Sequence, residues 1–145
     1  MTQLEHPDMR RTGILLFAHG ARDPQWALPF EAVATRLRQQ VGPDAGAASE
    51  VTLAFLEFMS PDITSAGDDL AARGCTDVAV VPLFLGAGGH VRKDLPRLLN
   101  ELAARHPGVN WRLCPAVGET DILIQGMADA ARALAHATPD GSSRA

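Results

Sequence analysis

The sequence predicts an α/β domain of three layers, a four-stranded parallel sheet with helices on both faces. Two observations predict it. Four short apolar runs alternate with four stretches whose apolar residues recur every three or four positions, the order expected of repeated strand-helix units. The first three runs are also near-continuous rather than alternating, as in strands buried on both faces of a parallel sheet.

The first run, residues 13–18 (GILLFA), ends in His19-Gly20-Ala21-Arg22-Asp23-Pro24. Asp23 before Pro24 is a capping acceptor followed by proline at the first helical position, so a helix follows at once. Ala27, Phe30, Ala34, Leu37 and Val41 form its apolar face, and the glycines and proline of residues 42–46 end it. The second strand, residues 51–58 (VTLAFLEF), carries one charged residue, Glu57, at its carboxyl end. Ser60-Pro61 repeats the cap-plus-proline signal and opens a short helix that turns Ile63, Leu70 and Ala71 inward up to Gly74.

The third strand spans residues 75–85 and stops at Gly86; the glycines of residues 86–89 supply backbone that takes positive φ and approaches a ligand closely. A helix from about residue 91 to 106 puts Leu95, Leu98, Leu99 and Leu102 on one side, with Pro96 in its early part. Residues 109–114 form a shorter, more polar strand, and Thr120 caps a last helix running to about His136. The expected domain is residues 13–137, with flexible termini at 1–12 and 138–145.

The 145 residues, 46% hydrophobic and 21% charged, suffice for one domain with a real core. A net charge of −4 without a Lys/Arg block argues against a nucleic-acid partner, and no apolar run approaches the roughly 20 residues of a membrane span. Cys75 and Cys114 form no C-x-x-C pair and fall at opposite ends of adjacent predicted strands. A strand is about 17–20 Å long against a bridging limit of about 7 Å, which predicts two free thiols and fits a reducing, cytoplasmic location.

His19, Glu57 and His90 follow the first, second and third strands. The carboxyl ends of parallel strands share one edge, so these groups converge without special folding, and ligands bind beyond that edge where strand order reverses. Two imidazoles and a carboxylate suit a divalent first-row ion and can also accept protons. Against this stand plainer readings: a turn histidine bonded to backbone, or a carboxylate in a strand-end ion pair. His6, His106 and His136 read as solvated, and Trp26 and Trp111 as packing residues. The glycine loop lacks both the dinucleotide spacing and the P-loop ending.

The segments HGARDP (19–24), AFLE (54–57) and VPLFL through GGHVRKDLP (81–96) resemble the sirohydrochlorin cobalt/iron chelatases, the CbiX type of class II tetrapyrrole chelatase, in a short single-domain form. The resemblance covers about residues 13–135; Ala21 departs from the family's common serine, and many relatives fuse two such domains. It implies a chelatase-like, half-flavodoxin-like fold and a lyase of cobalamin or siroheme biosynthesis. Co2+, Fe2+ or Ni2+ would be inserted as a substrate into a carboxylate-rich tetrapyrrole, without ATP and without a nucleotide or organic cofactor. His19, Glu57 and His90 match the family's metal-binding and proton-accepting residues. Arg22, Gly88, Gly89, Arg92 and Lys93 are the candidates for binding the substrate's carboxylates.

A macrocycle is large beside the mouth of one such sheet, which leads us to expect a homodimer enclosing the cavity, with Leu85 and Ile122 among the candidate contacts. Two other classes fit the residues. A carrier of metal or tetrapyrrole would share the ligands but show no turnover, and a phosphate-binding flavodoxin-like domain would bind anions independently of His90.

Overall fold

The computed structural model describes residues 11–42, 49–86 and 88–138. Strands β1 (Thr12–Ala18), β2 (Ser49–Phe55), β3 (Asp77–Pro82) and β4 (Asn110–Leu113) form one parallel sheet in the order β2-β1-β3-β4. They alternate with helices α1 (Leu28–Gln40), α2 (Ile63–Ala72), α3 (Gly89–Arg105) and α4 (Asp121–His136). The α/β class, four parallel strands and four helices are those the sequence predicts.

The most apolar strand, β1, lies inside the sheet with Leu15, Leu16, Phe17 and Ala18 at most 2% exposed. Its alternating side chains divide the core. Leu15 and Phe17 join Ala54, Val78 and Val80 under Ile63, Ala66 and Leu70 of α2 and Leu95, Leu99 and Leu102 of α3. Leu16, with Ile14, Val51, Leu53 and Val81, meets Ala34, Leu37 and Val41 on the α1 side. Because β2 and β3 flank β1, the strand order reverses between β1 and β3, and their carboxyl ends open the crevice where such sheets bind ligands.

Local signals were obeyed in part. Asp23 does cap, accepting from the Gln25 N–H at 3.0 Å, but the chain first makes a 3-10 turn (Pro24–Ala27) before α1 begins. The Ser60-Pro61 start is a correction: Asp62 is the cap, accepting from the Ser65 N–H at 2.8 Å. The Pro61 carbonyl instead receives the Phe55 N–H at 2.9 Å, which holds it against the end of β2. Strand β3 is shorter than residues 75–85, because the Cys75 N–H turns back to the Leu70 carbonyl. Helix α3 begins earlier than expected, capped by Gly88, so Pro96 is its eighth residue rather than lying in the first turn. The predicted stop of α1 at residues 43–46 lies outside the described residues, as do His6 and the tail from 139.

His106 is also a correction. It is half-buried, its Nε2 2.6 Å from Asp68 Oδ1, and its ring lies 6.1 Å from that of Trp111. Arg105 forks onto the same carboxylate, and Arg105 first and His106 second hold the Asp68 carboxyl below its ordinary range. Trp26 packs on Phe30 with ring centres 4.5 Å apart, and Trp111 packs against the α2/α3 core, both as expected. Cys75 and Cys114 are free thiols, and burial pushes the Cys75 thiol up.

Helix α4 starts at the expected cap, Thr120, but none of its residues is buried. It packs mainly against the turn Val117–Glu119. On the α1 side of the sheet, Ile14, Ala79, Val81 and Leu83 are left half-covered. Among the described residues, no helix is long and apolar enough to cross a membrane.

Gly67 shows how closely α2 and α3 approach: a Cβ there would lie 2.5 Å from Leu102 Cδ2 and 3.2 Å from the Trp111 ring. Leu102 is fully buried, so its side chain can yield only by displacing close-packed core neighbours. Gly67→Ala should therefore destabilise the fold by about 1–3 kcal/mol, reversing the roughly 1 kcal/mol that alanine gains over glycine inside a helix. Urea unfolding of the two proteins measures the difference.

Candidate active site

The site is built where the β1–β2 ladder runs past the ends of both strands. The Leu56 and Glu57 N–H groups donate to the carbonyls of Ala18 and His19 at 2.9 and 3.1 Å, tying the two exit loops residue by residue. This tie needs Gly20. Its φ is +94°, and a Cβ would stand 1.9 Å from the Glu57 carbonyl oxygen. No side chain fits, and an L-residue is strained at that φ.

The tie sets His19 beside Glu57, Nε2 to Oε2 at 3.9 Å, each side chain half exposed. That is too long for a direct hydrogen bond. An ion about 2.1 Å from each atom spans at most about 4.2 Å, so the pair can share one with water completing the shell. A half-exposed pair holds an ion loosely, and a neutral imidazole beside a carboxylate also accepts protons.

The imidazole is braced from the third strand. Leu83 donates to the Phe17 carbonyl at 2.8 Å beyond the end of β3, and Phe84 then turns its ring edge to His19 at 5.6 Å between centres. Phe84 is 6% exposed and lies 6.0 Å from the Phe17 ring, so it is fixed by the core. Its carbonyl receives the Gly118 N–H at 2.9 Å.

Of the other predicted residues, His90 has its backbone in the first turn of α3, beyond the carboxyl end of β3; its side chain is outside the described residues. Gly88 caps that helix at φ −70°, and Gly20 and Gly74 are the positive-φ glycines among the described residues. The expectation of positive φ in the loop is thus not met at Gly86, Gly88 or Gly89. A Cβ on any of these three would meet nothing within 4 Å. Lys93 is exposed on α3, and Arg92 pairs with Glu119 at 3.5 Å. Among the described residues, no group of three or more His, Cys, Asp or Glu side chains is gathered at metal-binding spacing.

Next to Glu57, Phe58 has φ 68° and is 56% exposed. A bulky residue in that region costs about 1–2 kcal/mol. Its ring carries the Arg22 guanidinium, 4.6 Å from the centroid. A hollow of about 460 Å³ lined by residues 56–62 and Ser65 opens beside Glu57 and Phe58.

The family model described as CbiX matches residues 13–134. The chain belongs to the CbiX family. A sirohydrochlorin cobaltochelatase of Sulfurisphaera tokodaii is 34% identical over 113 residues, 78% of this chain and 85% of its own length. One from Saccharolobus solfataricus is 37% identical over 87 residues, and the match spans 60% of this chain and 62% of that relative. A solved CbiX protein of Marinobacter aquaeolei VT8 superposes with a TM-score of 0.74 at 30% identity, over 86% of this chain and 97% of that one. Sirohydrochlorin chelatase SirB of Bacillus subtilis subspecies spizizenii, solved with cobalt, shares the fold at 23% identity and a TM-score of 0.68; the match covers 86% of this chain and 51% of SirB.

Sequence reasoning missed Gly20, Phe58, Phe84 and Glu119 in this CbiX-family chain. The Gly20 signal was present, as a glycine directly after a strand-end histidine. Phe84 was hidden inside an apolar run. Gly20→Ala should cost about 2–4 kcal/mol, from positive-φ strain plus overpacking. At a temperature where the variant remains folded, it should lose more than tenfold in Co2+ affinity, because the β1–β2 tie opens and separates His19 from Glu57. Unfolding curves and calorimetric Co2+ titration measure the two effects.

Proposed function

We propose that this chain inserts a divalent metal, Co2+, Fe2+ or Ni2+, into sirohydrochlorin or a related carboxylate-rich tetrapyrrole without ATP. The observation that carries the reading is the His19–Glu57 pair at 3.9 Å, open to solvent and locked by backbone at the carboxyl edge of the sheet, in a CbiX-family chain. Metallation exchanges two pyrrole N–H protons for one M2+ ion. In our reading His19, Glu57 and His90 hold the ion loosely and take up those protons, passing them to water. Half exposure of His19 and Glu57 suits both tasks, since a closed shell of ligands would retain the ion.

The macrocycle's carboxylates fall to Arg22, Lys93, Arg92 and the bare backbone at Gly88 and Gly89, which supply positive potential that a chain of net charge −4 otherwise lacks. In this reading residues 13–137 form one domain acting in the cytoplasm, without nucleic acid, membrane, nucleotide or organic cofactor.

Absorbance change of metal-free sirohydrochlorin with Co2+, Fe2+ and Ni2+ tests the activity. Wild type is expected to metallate with at least one ion, and His19→Ala and His90→Ala to lose at least 100-fold in rate with unchanged circular dichroism. Binding without turnover would favour the carrier reading, and wild-type rates in both variants would overturn the assigned roles.

We further propose that the chain works as a homodimer. Helix α4 gathers Asp121, Gln125, Asp129, Arg132 and His136 within about 80° of arc, leaving Leu123, Ile124, Met127, Ala131 and Leu134 opposite them. Ile122, Ile124, Met127 and Leu134 are 86, 55, 49 and 78% exposed. An uncovered amphipathic helix and a half-covered sheet face on one chain are complementary surfaces, which a second copy satisfies reciprocally. Two helices about 24 Å long and 10 Å wide, each laid on the partner's sheet, cover about 1,000 Å² in all, near the threshold for a specific interface. Leu85, 66% exposed, is a further contact candidate. Sedimentation equilibrium at micromolar concentration should find a dimer for wild type and a folded monomer for the Ile124→Glu, Leu134→Glu double variant; a monomeric wild type overturns the proposal.

A further inference from the structure

Phe58 is placed as no packing residue would be. It directly follows Glu57, stands outside the three buried apolar clusters, is 56% exposed, and holds a backbone conformation, φ 68°, that glycine adopts without strain. Its visible contact is with Arg22, whose guanidinium lies 4.6 Å above the ring centre. Arg22 in turn follows His19 by three residues, so the contact joins the same two loops that carry His19 and Glu57. Among the described residues, no carboxylate lies within ion-pair distance of Arg22, although Asp23 is its neighbour in sequence. The Asp23 carboxylate is engaged by the Gln25 N–H. Among the described residues the Arg22 guanidinium thus rests on an aromatic ring without a carboxylate partner, and that ring lines the hollow beside Glu57.

We infer that Phe58 is a positioning residue: its ring holds Arg22 with one face covered and its N–H edge presented to a carboxylate of the macrocycle bound over His19 and Glu57. The physical reasons are two. An exposed arginine samples many rotamers, and ordering it consumes binding free energy; stacking on a ring orders it beforehand while leaving all its donors available. A carboxylate or amide partner would order it as well but would occupy those donors. The ring of Phe58, whose φ is 68°, spans from the Glu57 loop to the Arg22 loop. The ligand class that fits is therefore a conjugated ring bearing several peripheral carboxylates, and the Arg22 edge selects for the carboxylate nearest the β1–β2 exit. This inference rests on the tetrapyrrole reading above for the identity of the ligand.

The experiment uses the full chain and metal-free sirohydrochlorin, with steady-state Co2+ insertion and, separately, a spectrophotometric binding titration without metal. Phe58→Gly is expected to raise KM and the Kd of the macrocycle about two- to fivefold, the scale of a lost exposed arginine–ring contact, with kcat unchanged. Its Tm should be unchanged or higher, because glycine relieves the positive φ. Phe58→Tyr, which keeps the ring, should restore wild-type KM. In the double variant Arg22→Gln, Phe58→Gly the loss should equal that of Arg22→Gln alone, because Phe58 acts through Arg22. Wild-type Kd in Phe58→Gly, additive losses, or a fall in Tm and kcat with Kd unchanged would each overturn the inference. Wild type that binds the macrocycle without metallating it would overturn the chelatase reading and leave this one standing; wild type that does not bind it would overturn both.

Discussion

The arrangement depends on one backbone contact, the passage of the Glu57 carbonyl over Gly20. The oxygen occupies the space of a missing Cβ, at 1.9 Å from where that atom would be. This allows the β1–β2 ladder to continue for two further hydrogen bonds after both strands have ended. The separation of the His19 and Glu57 side chains is thereby inherited from the sheet rather than from their own flexible bonds. Without the contact, two loops leaving neighbouring strands would diverge to opposite faces, as connections to α1 and α2 require.

The third exit is held by different means. Beyond β3 the chain makes one more ladder bond, at Leu83, and then buries Phe84 between Phe17 and His19. The turn after β4 closes over it, with the Gly118 N–H on the Phe84 carbonyl and the Leu85 carbonyl 2.0 Å from where a Gly118 Cβ would be. Two of the three exits are thus stapled by glycines that let backbone meet backbone. The imidazole rests against a buried ring, which limits its rotation while leaving its outer edge wet.

How much of this was legible follows from the range of the forces involved. Strand and helix types were readable because β1, β2 and β3 are apolar on both faces and α1 to α3 carry regular stripes. The Asp23-Pro24 cap was readable because its partner, Gln25, is two residues away. Ser60-Pro61 misled because the same dipeptide serves a turn, and what decides is a bond from Phe55 to Pro61 that sequence does not display. His106 was misread because its carboxylate, Asp68, lies 38 residues away on another helix. Gly20 is a related case: the motif was visible, but its reason sits on a different strand. The amphipathic stripe of α4 was visible too. Such a pattern says that one face wants cover and leaves open what covers it.

The charged groups divide between the two ends of the sheet in a way that separates stability from chemistry. At the amino end, Arg73 bridges Glu50 at 3.1 Å and Asp69 at 2.9 Å, Arg11 shares Glu50, and Arg105 with His106 closes on Asp68 at 2.5 and 2.6 Å. The first group ties the end of α2 to the starts of β1 and β2, and the second ties α2 to the end of α3. Each surface pair is weak singly, but shared carboxylates and bidentate forks make networks that hold several elements in one geometry. Around the candidate site the pairs are longer, 3.9 Å for His19–Glu57 and 3.5 Å for Arg92–Glu119, and Arg22 rests on a ring. Groups left apart retain capacity for a metal ion, a proton or a carboxylate, whereas groups already closed on each other would have to be broken first. The short contacts at one end tie the scaffold together, and the scaffold's ladder and glycines set the spacing of the groups at the other end while leaving them unclosed.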